Sequence, residues 1–453
     1  MLARRATCSI VSSWPSFLIR STVVPAASRS LGRPCSPPLQ FGLRPSPPHS
    51  FAAMATSSAS SASTSNQATQ TPQINSLLVL YPLEPRNLVD KLRANISEVH
   101  FYPQRSAVDY NSTAGPAPVP SAEILANIDA ILCFHLYPDL FNGDFLTMTP
   151  KLKLIQTVGS GTTQITDSPF HKSVPEEHPL ILANTAGIHA TTIGEHALMI
   201  TLMILHKILN VDRVIRKEKR WVGPNELGGS GPDAQLFFTE LRGKTFAILG
   251  YGHIARETAR LASAFGANII VATRSGVQAP IKGFHLPNTG DPTGSIPSEW
   301  YTTTSRSSLH SLLNRADIVL NLLPSSADTR GIMGRTEFEQ MKDDAIYLNL
   351  GRGDTNDQDA LAEALKGSLE AEDEPMGQTG SLRIAGASID VSNPEPLPDG
   401  HVFLGGLDNM ILTPHSCWMS KLNFVRAVEV FLTNAERMNQ GLGAINALRG
   451  KGE

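Results

Sequence analysis

Cysteine is scarce in this chain of 453 residues, and the four that occur form no CxxC pair. Their spacing argues against both a disulfide framework and a structural zinc site, so we expect a reducing compartment and no bound metal. Long apolar runs are also missing. The most apolar run, residues 197–205, has less than half of the roughly 20 residues that a membrane-spanning helix requires. The sequence therefore predicts no transmembrane segment.

The chain has little excess charge of either sign. Its 38 Lys and Arg residues and 41 Asp and Glu residues give a formal net charge of -3. Such a balance provides no broad attraction to nucleic acid or to anionic membranes, and we expect neither as a partner. The length exceeds that of one average domain and predicts two hydrophobic cores.

Acidic residues are absent from the first part of the chain, where the first one is Glu84. Six arginines stand among Ser, Ala and Pro before that point: Arg4, Arg5, Arg20, Arg29, Arg33 and Arg44. This composition is typical of an organellar transit peptide, and a disordered tail is the alternative. We expect residues 1–75 to lie outside the fold and to direct the full-length chain to mitochondria. A second start at Met54 would give a cytosolic form.

Short apolar runs alternate with helical segments from residue 77 onward. This alternation predicts two doubly wound α/β domains with parallel sheets, joined by a buried helix at 192–205. The insertions 283–308 and 370–383 are expected to be surface loops. The predicted strands are 77–81, 99–102, 130–134, 154–158 and 180–183, then 245–249, 269–272, 318–322, 346–350, 387–390 and 410–413.

A glycine-rich segment, Gly250-Tyr-Gly252-His-Ile-Ala255, directly follows a predicted strand and opens a helix. Gly250 permits a tight turn, Gly252 lets the backbone approach a pyrophosphate, and the helix N-terminus faces the phosphates. The next strand ends without the carboxylate that would bind the ribose of NAD. Arg274 and Ser275 stand there instead, which favours the 2′-phosphate of NADP. NAD, with Arg274 solvated, is the alternative.

Several further segments carry recognisable motifs: 152–161, 184–187 with 195–196, 348–353, 386–396 and 412–415. These segments resemble the D-isomer-specific 2-hydroxyacid dehydrogenases, and the resemblance extends over nearly all of 77–446. It implies a Rossmann dinucleotide-binding domain (185–419) inserted in a flavodoxin-like substrate domain (76–184 and 420–446). It also implies a homodimer formed through the cofactor domain.

Arg352, Glu395 and His415 are the predicted catalytic residues. Reduction of a 2-keto acid requires a cation for the carboxylate, a proton donor for the developing alkoxide and a positioned nicotinamide. Arg352 can provide the cation, and His415 can provide the proton donor. In the family pattern Glu395 pairs with the histidine, where a carboxylate stabilises the imidazolium. This pair argues against formate dehydrogenases, which carry glutamine at the position of Glu395.

The resemblance implies further binding residues. Those expected at the cofactor, besides the glycines, Arg274 and Ser275, are His253, Ile254, Leu323, Pro324 and Asp390. Asp390 has a second interpretation as the cap of a loop. Those expected at the substrate are Gly159, Ser160 and Gly161, whose N–H groups would meet the carboxylate, and Trp418, an apolar wall. The chain departs from the family at Thr162 and Thr163, where an aspartate is usual.

We therefore expect an NAD(P)-dependent oxidoreductase that acts on glyoxylate, hydroxypyruvate or a similar 2-keto acid. Phosphoglycerate dehydrogenase is the nearest alternative among enzymes. A dinucleotide-sensing interaction protein of the corepressor type is the alternative outside them, because relatives of that type keep the Arg-Glu-His residues and a tryptophan three positions after the histidine. Low turnover with tight dinucleotide binding would distinguish this last possibility.

Overall fold

The structure is a computed structural model of the chain. It describes residues 73–81, 87–102, 119–134, 141, 144–161, 168–221, 223, 238–370, 382–450 and 452. Almost all of the leader, most of the 370–383 insertion, and the pair Thr162 and Thr163 lie outside the described residues. The transit peptide and the second start therefore stay predictions. Within the described part of the chain, no helix is long and apolar enough to cross a membrane.

The first sheet has the strand order β13-β5-β4-β3-β1-β2 and is parallel except for the pair of β13 with β5. Its strands are β1 (Ser76–Val79), β2 (Glu98–Phe101), β3 (Ala130–Cys133), β4 (Leu154–Thr157), β5 (Ile181–Ala183) and β13 (Ala447–Arg449). The associated helices are α1 (Asn87–Asn95), α2 (Ala122–Asn127), α3 (Phe145–Met148), α4 (Pro169–Ser173) and α11 (Lys421–Asn439).

The second sheet is parallel throughout, in the order β12-β11-β10-β9-β6-β7-β8. Its strands are β6 (Thr245–Leu249), β7 (Asn268–Thr273), β8 (Glu299–Thr302), β9 (Ile318–Asn321), β10 (Ile346–Asn349), β11 (Gly386–Ile389) and β12 (Met410–Leu412). The helices of this part are α5 (Ala190–Leu205), α6 (Ile208–Glu218), α7 (His253–Ala264), α8 (Arg306–Leu313), α9 (Arg335–Glu339) and α10 (Gln358–Glu370), with 3₁₀ turns at Gly353–Thr355 and Val402–Leu404.

These strand orders are those of doubly wound folds. In the first sheet, the neighbours β2-β1-β3-β4-β5 have the flavodoxin-like order 2-1-3-4-5. In the second sheet, the neighbours β8-β7-β6-β9-β10-β11, renumbered from its first strand, have the Rossmann order 3-2-1-4-5-6. Both faces are covered, since Leu77 and Val79 join one hydrophobic cluster while Leu78 and Leu80 join another. Continuous burial of this kind produces the unbroken aliphatic runs from which the strands were predicted. The predicted fold class is confirmed.

The 283–308 insertion is not the surface loop that its Pro, Gly, Ser and Thr content predicts. It contains β8, which pairs with β7 at the edge of the second sheet. Its Asp291 is buried and accepts hydrogen bonds from Tyr251 Oη at 2.8 Å and from Ile296 N at 2.9 Å. Arg256 Nη1 donates to the Asp291 carbonyl. The segment has no continuous apolar run. It is ordered instead by hydrogen bonds among its buried polar groups.

Candidate active site

The three predicted catalytic residues, with Asp390, follow neighbouring strands of the second sheet. Arg352 comes after β10, Asp390 and Glu395 after β11, and His415 after β12. The carboxyl ends of parallel strands share one sheet edge, where ligands bind in open α/β sheets. The fold therefore brings to one edge side chains that are up to 63 positions apart in sequence.

A carboxylate–imidazole pair stands at this edge. Glu395 Oε1 lies 2.5 Å from His415 Nδ1, and the His415 side chain remains 41% exposed. His415 has a left-handed backbone with φ of 50°. A hydrogen bond of 2.8 Å from His415 N to the Asp390 carbonyl supports that conformation. The pair leaves Nε2 available toward a substrate, as an acid–base group requires.

Asp390 supports the loop that presents His415. Its buried carboxylate accepts hydrogen bonds from Thr413 Oγ1 at 2.6 Å, Ser416 N at 2.9 Å and Cys417 N at 3.2 Å. These hydrogen bonds are the ones expected if Asp390 caps the loop. Contact of Asp390 with the cofactor stays a prediction. Burial, together with the Asp390 charge, raises the pKa of the Cys417 thiol, so this cysteine is not a thiolate at neutral pH.

Arg352 links the two sheets. Its Nη1 donates to the Gly351 carbonyl at 2.7 Å, and its Nη2 lies 3.1 Å from the position that a Cβ would take at Gly161. The glycine stretch that follows β4 therefore contacts the guanidinium directly. Asn184 Nδ2 donates to the Ser160 carbonyl at 3.2 Å, which ties this stretch to the chain segment after β5. The predicted carboxylate-binding residues and Arg352 are thus brought together.

His189, at the start of α5, and His196, within that helix, are not suited to proton donation. Burial lowers the pKa of His189 to about 4, with a further contribution from Arg426. Burial also lowers the pKa of His196, although the Asp390 charge acts in the opposite direction. Both imidazoles are therefore neutral at pH 7. His196 lies within a helix that packs in the core, as expected of a structural residue.

The glycine loop has the shape that a pyrophosphate requires. Gly250 has φ of 88°, and a Cβ there would lie 3.2 Å from the Leu322 carbonyl oxygen and 3.3 Å from the Leu323 side chain. At Gly252 no atom comes within 4 Å of the Cβ position, so the approach to the helix is open. Helix α7 begins at the next residue, and its first N–H groups have no acceptor within the helix. The loop therefore fits a dinucleotide phosphate.

Arg274 and Ser275 follow β7 and are exposed, as the cofactor prediction requires. Arg274 Nη2 lies 3.2 Å from Asp328 Oδ2, on the loop after β9, where Pro324 is also exposed. Because β6 lies between β7 and β9, this ion pair spans the strand that leads into Gly250. Asp328 was not predicted from the sequence, since no local pattern relates it to Arg274.

A glycine loop before a helix, an arginine and a carboxylate–imidazole pair at one edge of a Rossmann sheet define a dinucleotide-dependent oxidoreductase. Comparison with known proteins agrees. Residues 198–417 match the model of the family described as D-isomer specific 2-hydroxyacid dehydrogenase, NAD binding domain. The chain belongs to this family, whose members are NAD(P)-dependent oxidoreductases that act on CH–OH groups.

Two relatives show the extent of the similarity. A glyoxylate/hydroxypyruvate reductase B of Pectobacterium atrosepticum is 30% identical over 274 residues, which is 60% of this chain and 71% of the relative. A glyoxylate reductase of Thermofilum pendens is 29% identical over 301 residues, 65% of this chain and 74% of the relative. A solved glyoxylate reductase from Paecilomyes thermophila shares the fold with a TM-score of 0.58 and 20% identity, over 83% of this chain and 98% of that one.

Proposed function

We propose that this protein reduces the keto group of a 2-keto acid with NAD(P)H, with His415 as the acid. The observation that carries the proposal is the 2.5 Å contact of His415 with Glu395, at the sheet edge where Arg352 meets Gly161. Two of the relatives are named as reductases of glyoxylate or of glyoxylate and hydroxypyruvate. Small 2-keto acids of that kind are therefore the first substrates to test.

Each residue of the site has a defined part in the proposed reaction. The bound NAD(P)H supplies the hydride that reduces the keto carbon. Arg352 binds the substrate carboxylate and polarises the ketone, and the N–H groups around Gly161 approach the same carboxylate. His415 Nε2 donates a proton to the ketone oxygen as that oxygen becomes a hydroxyl. Glu395 holds Nδ1 and stabilises the imidazolium until the proton leaves.

A spectrophotometric assay tests the function directly. Glyoxylate, hydroxypyruvate and larger 2-keto acids are offered with NADPH and with NADH, and oxidation of the cofactor is followed. Reduction of at least one acid by the purified chain is expected. Tight binding of dinucleotide without turnover of any acid would contradict the proposal and would favour the dinucleotide-sensing alternative.

Replacement of Glu395 by glutamine should lower kcat for keto acid reduction. Glutamine retains a hydrogen-bonding side chain of the same size but removes the negative charge that faces His415 Nδ1. A neutral amide gives the imidazolium no electrostatic stabilisation in the step that donates the proton. Glu395→Asp, which keeps the charge, is the matched control and should retain more activity. A kcat of Glu395→Gln equal to that of wild type would show that the charge of Glu395 does not contribute to the reaction.

Replacement of Arg274 by aspartate should shift the cofactor preference from NADPH toward NADH. The change removes the cation proposed to bind the 2′-phosphate and adds a charge that repels it. The measurement is the ratio of kcat/KM for the two cofactors. Asp328→Asn is the matched variant: it frees Arg274 from its ion pair, so the NADPH preference should be kept or increased. A wild-type preference for NADH would contradict this assignment.

We further propose a homodimer formed through the cofactor domain. An open apolar groove of about 800 Å³ lies between α5 and the end of α7. Met199, Ile208 and Phe265 at this groove are each more than 40% exposed. A second copy that covers these side chains would remove their apolar surface from water. Met199→Asp should reduce the mass measured by light scattering from twice that of the chain to that of one chain, whereas Val119→Asp, at an exposed site near the first sheet, should not.

A further inference from the structure

Two consecutive peptide groups of the glycine stretch after β4 are held by the chain segment after β5. The Gly159 carbonyl accepts a hydrogen bond from Thr185 N at 3.3 Å, and the Ser160 carbonyl accepts one from Asn184 Nδ2 at 3.2 Å. In a trans peptide unit the N–H points opposite to the carbonyl of the same plane. The two hydrogen bonds therefore turn the N–H groups of Ser160 and Gly161 away from the segment after β5.

The direction of these N–H groups matters for the site. They are the groups proposed above to approach the substrate carboxylate, and Arg352 Nη2 lies 3.1 Å from the Cβ position of Gly161. A hydrogen bond weakens steeply when the donor N–H turns away from its acceptor. The orientation of the peptide group between Ser160 and Gly161 therefore helps to set how strongly a carboxylate is bound next to the guanidinium.

One residue, Asn446, holds the segment after β5 in its turn. Its Nδ2 donates to the Ala186 carbonyl at 2.9 Å and to the Asn184 carbonyl at 3.3 Å, and its own carbonyl accepts a hydrogen bond from Asn184 N at 3.2 Å. Asn446 has φ of 58°, a left-handed conformation that asparagine adopts more readily than most residues. These hydrogen bonds fix the backbone that carries the Asn184 side chain.

The 283–308 insertion contacts the same amide from the other side. Phe284 N donates to Asn446 Oδ1 at 3.1 Å, and the Phe284 side chain packs against a hydrophobic cluster of the first sheet. Gly187 leaves room for this approach, because a Cβ there would collide with the Phe284 carbonyl oxygen. The Asn446 amide thus joins the insertion, through Oδ1, to the segment after β5, through Nδ2.

We propose, on the basis of the function proposed above, that Asn446 is a positioning residue of the keto acid site. It acts through Asn184, which fixes the peptide group between Ser160 and Gly161 and so aims the Gly161 N–H at the substrate carboxylate. The insertion takes part in this positioning by its hydrogen bond to the Asn446 amide.

The first test is Asn446→Gly, which removes the amide but tolerates the left-handed backbone. KM for the keto acid should rise by roughly tenfold, the effect of a weakened hydrogen bond to a charged group, while kcat and KM for the cofactor change less. Asn288→Gly is the matched control, because Asn288 is exposed and has φ of 59°. An unchanged KM for the keto acid in Asn446→Gly, or an equal rise in both variants, would overturn the proposal.

The second test addresses the insertion with two glycines that have nearly the same backbone conformation. Gly283 has φ of 76°, and a Cβ there would collide with Asn446 Oδ1, whereas Gly243 has φ of 77° and no atom within 4 Å of its Cβ position. Alanine at either position imposes a similar backbone strain and should lower thermal stability. Only Gly283→Ala should also raise KM for the keto acid. The same KM in both alanine variants would contradict the part assigned to the insertion.

A binding measurement separates this inference from the proposed reaction. Oxalate has carboxylates but no keto group, so it cannot be reduced, and its affinity is measured by calorimetry with NADP⁺ bound. The wild type should bind oxalate at least about tenfold more tightly than Asn446→Gly, and Asn288→Gly should match the wild type. If no keto acid is reduced but this difference in affinity is found, the reaction fails and the positioning role is supported. If oxalate binds equally well to the wild type and to Asn446→Gly, the positioning role is refuted, whether or not keto acids are reduced.

Discussion

The His415→Asn variant is expected to lose roughly 10²- to 10⁴-fold in kcat for keto acid reduction, the range that positioned acid catalysis contributes. Asparagine is the informative replacement because His415 has φ of 50°, a backbone conformation that asparagine adopts more readily than most residues. The backbone bonds of the loop to Asp390 and Trp418 can therefore persist. What disappears is the imidazole, and with it the proton donor.

Two further variants test whether the loss of activity comes from the missing imidazole of His415. His415→Ala should lose activity to a similar degree, with an added loss of stability from alanine in a left-handed conformation. His196→Gln is the matched control, because burial lowers the pKa of His196 and leaves it neutral at pH 7. The affinity for NADPH, measured by fluorescence, should remain within a few-fold of wild type in the His415 variants. Turnover within tenfold of wild type in both of them would exclude His415 as the acid.

The strands of both sheets could be predicted because most are buried on both faces. The strands β6, TFAIL, and β9, IVLN, consist mainly of consecutive apolar residues. Each of the eleven predicted strands has a counterpart in the structure. The two that were not predicted, β8 and β13, are edge strands. Their sequences, EWYT and ALR, mix polar and apolar residues that are mostly half-buried. Neither has a continuous apolar run like that of β12, which also lies at a sheet edge but reads MIL.

The site was predictable where its residues follow strands directly, and not where they meet through tertiary contacts. Arg352 and His415 each stand three residues beyond the end of a strand, so the parallel topology alone brings them to one edge. The pairing of Asp328 with Arg274 joins positions 54 residues apart through two exposed loops. The approach of Phe134 to Trp418 joins the two sheets. Such contacts depend on how elements pack, which strand and helix periodicity does not specify.

Replacement of Arg352 by alanine is expected to reduce kcat/KM for 2-keto acids by roughly 10²-fold or more, and to raise KM as well as lower kcat. A hydrogen bond to a charged group contributes about 1.5–3 kcal/mol, and the guanidinium offers two to a carboxylate. The Arg352 carbonyl accepts hydrogen bonds from Thr355 Oγ1 at 2.6 Å and from Asn349 Nδ2 at 3.0 Å. These backbone contacts survive the substitution, so the fold should be retained.

The matched variant is Arg352→Lys, which keeps the charge but not the planar pair of donors. It should recover only part of the lost kcat/KM. Added guanidinium at millimolar concentration should partly restore Arg352→Ala and leave Arg352→Lys nearly unchanged, since lysine already fills the place next to Gly161 that the small cation must enter. If the alanine variant keeps the wild-type KM and its kcat is not rescued, the cation that binds the carboxylate must be sought elsewhere in the cleft, and Arg352 would serve only to hold the glycine stretch against the second sheet.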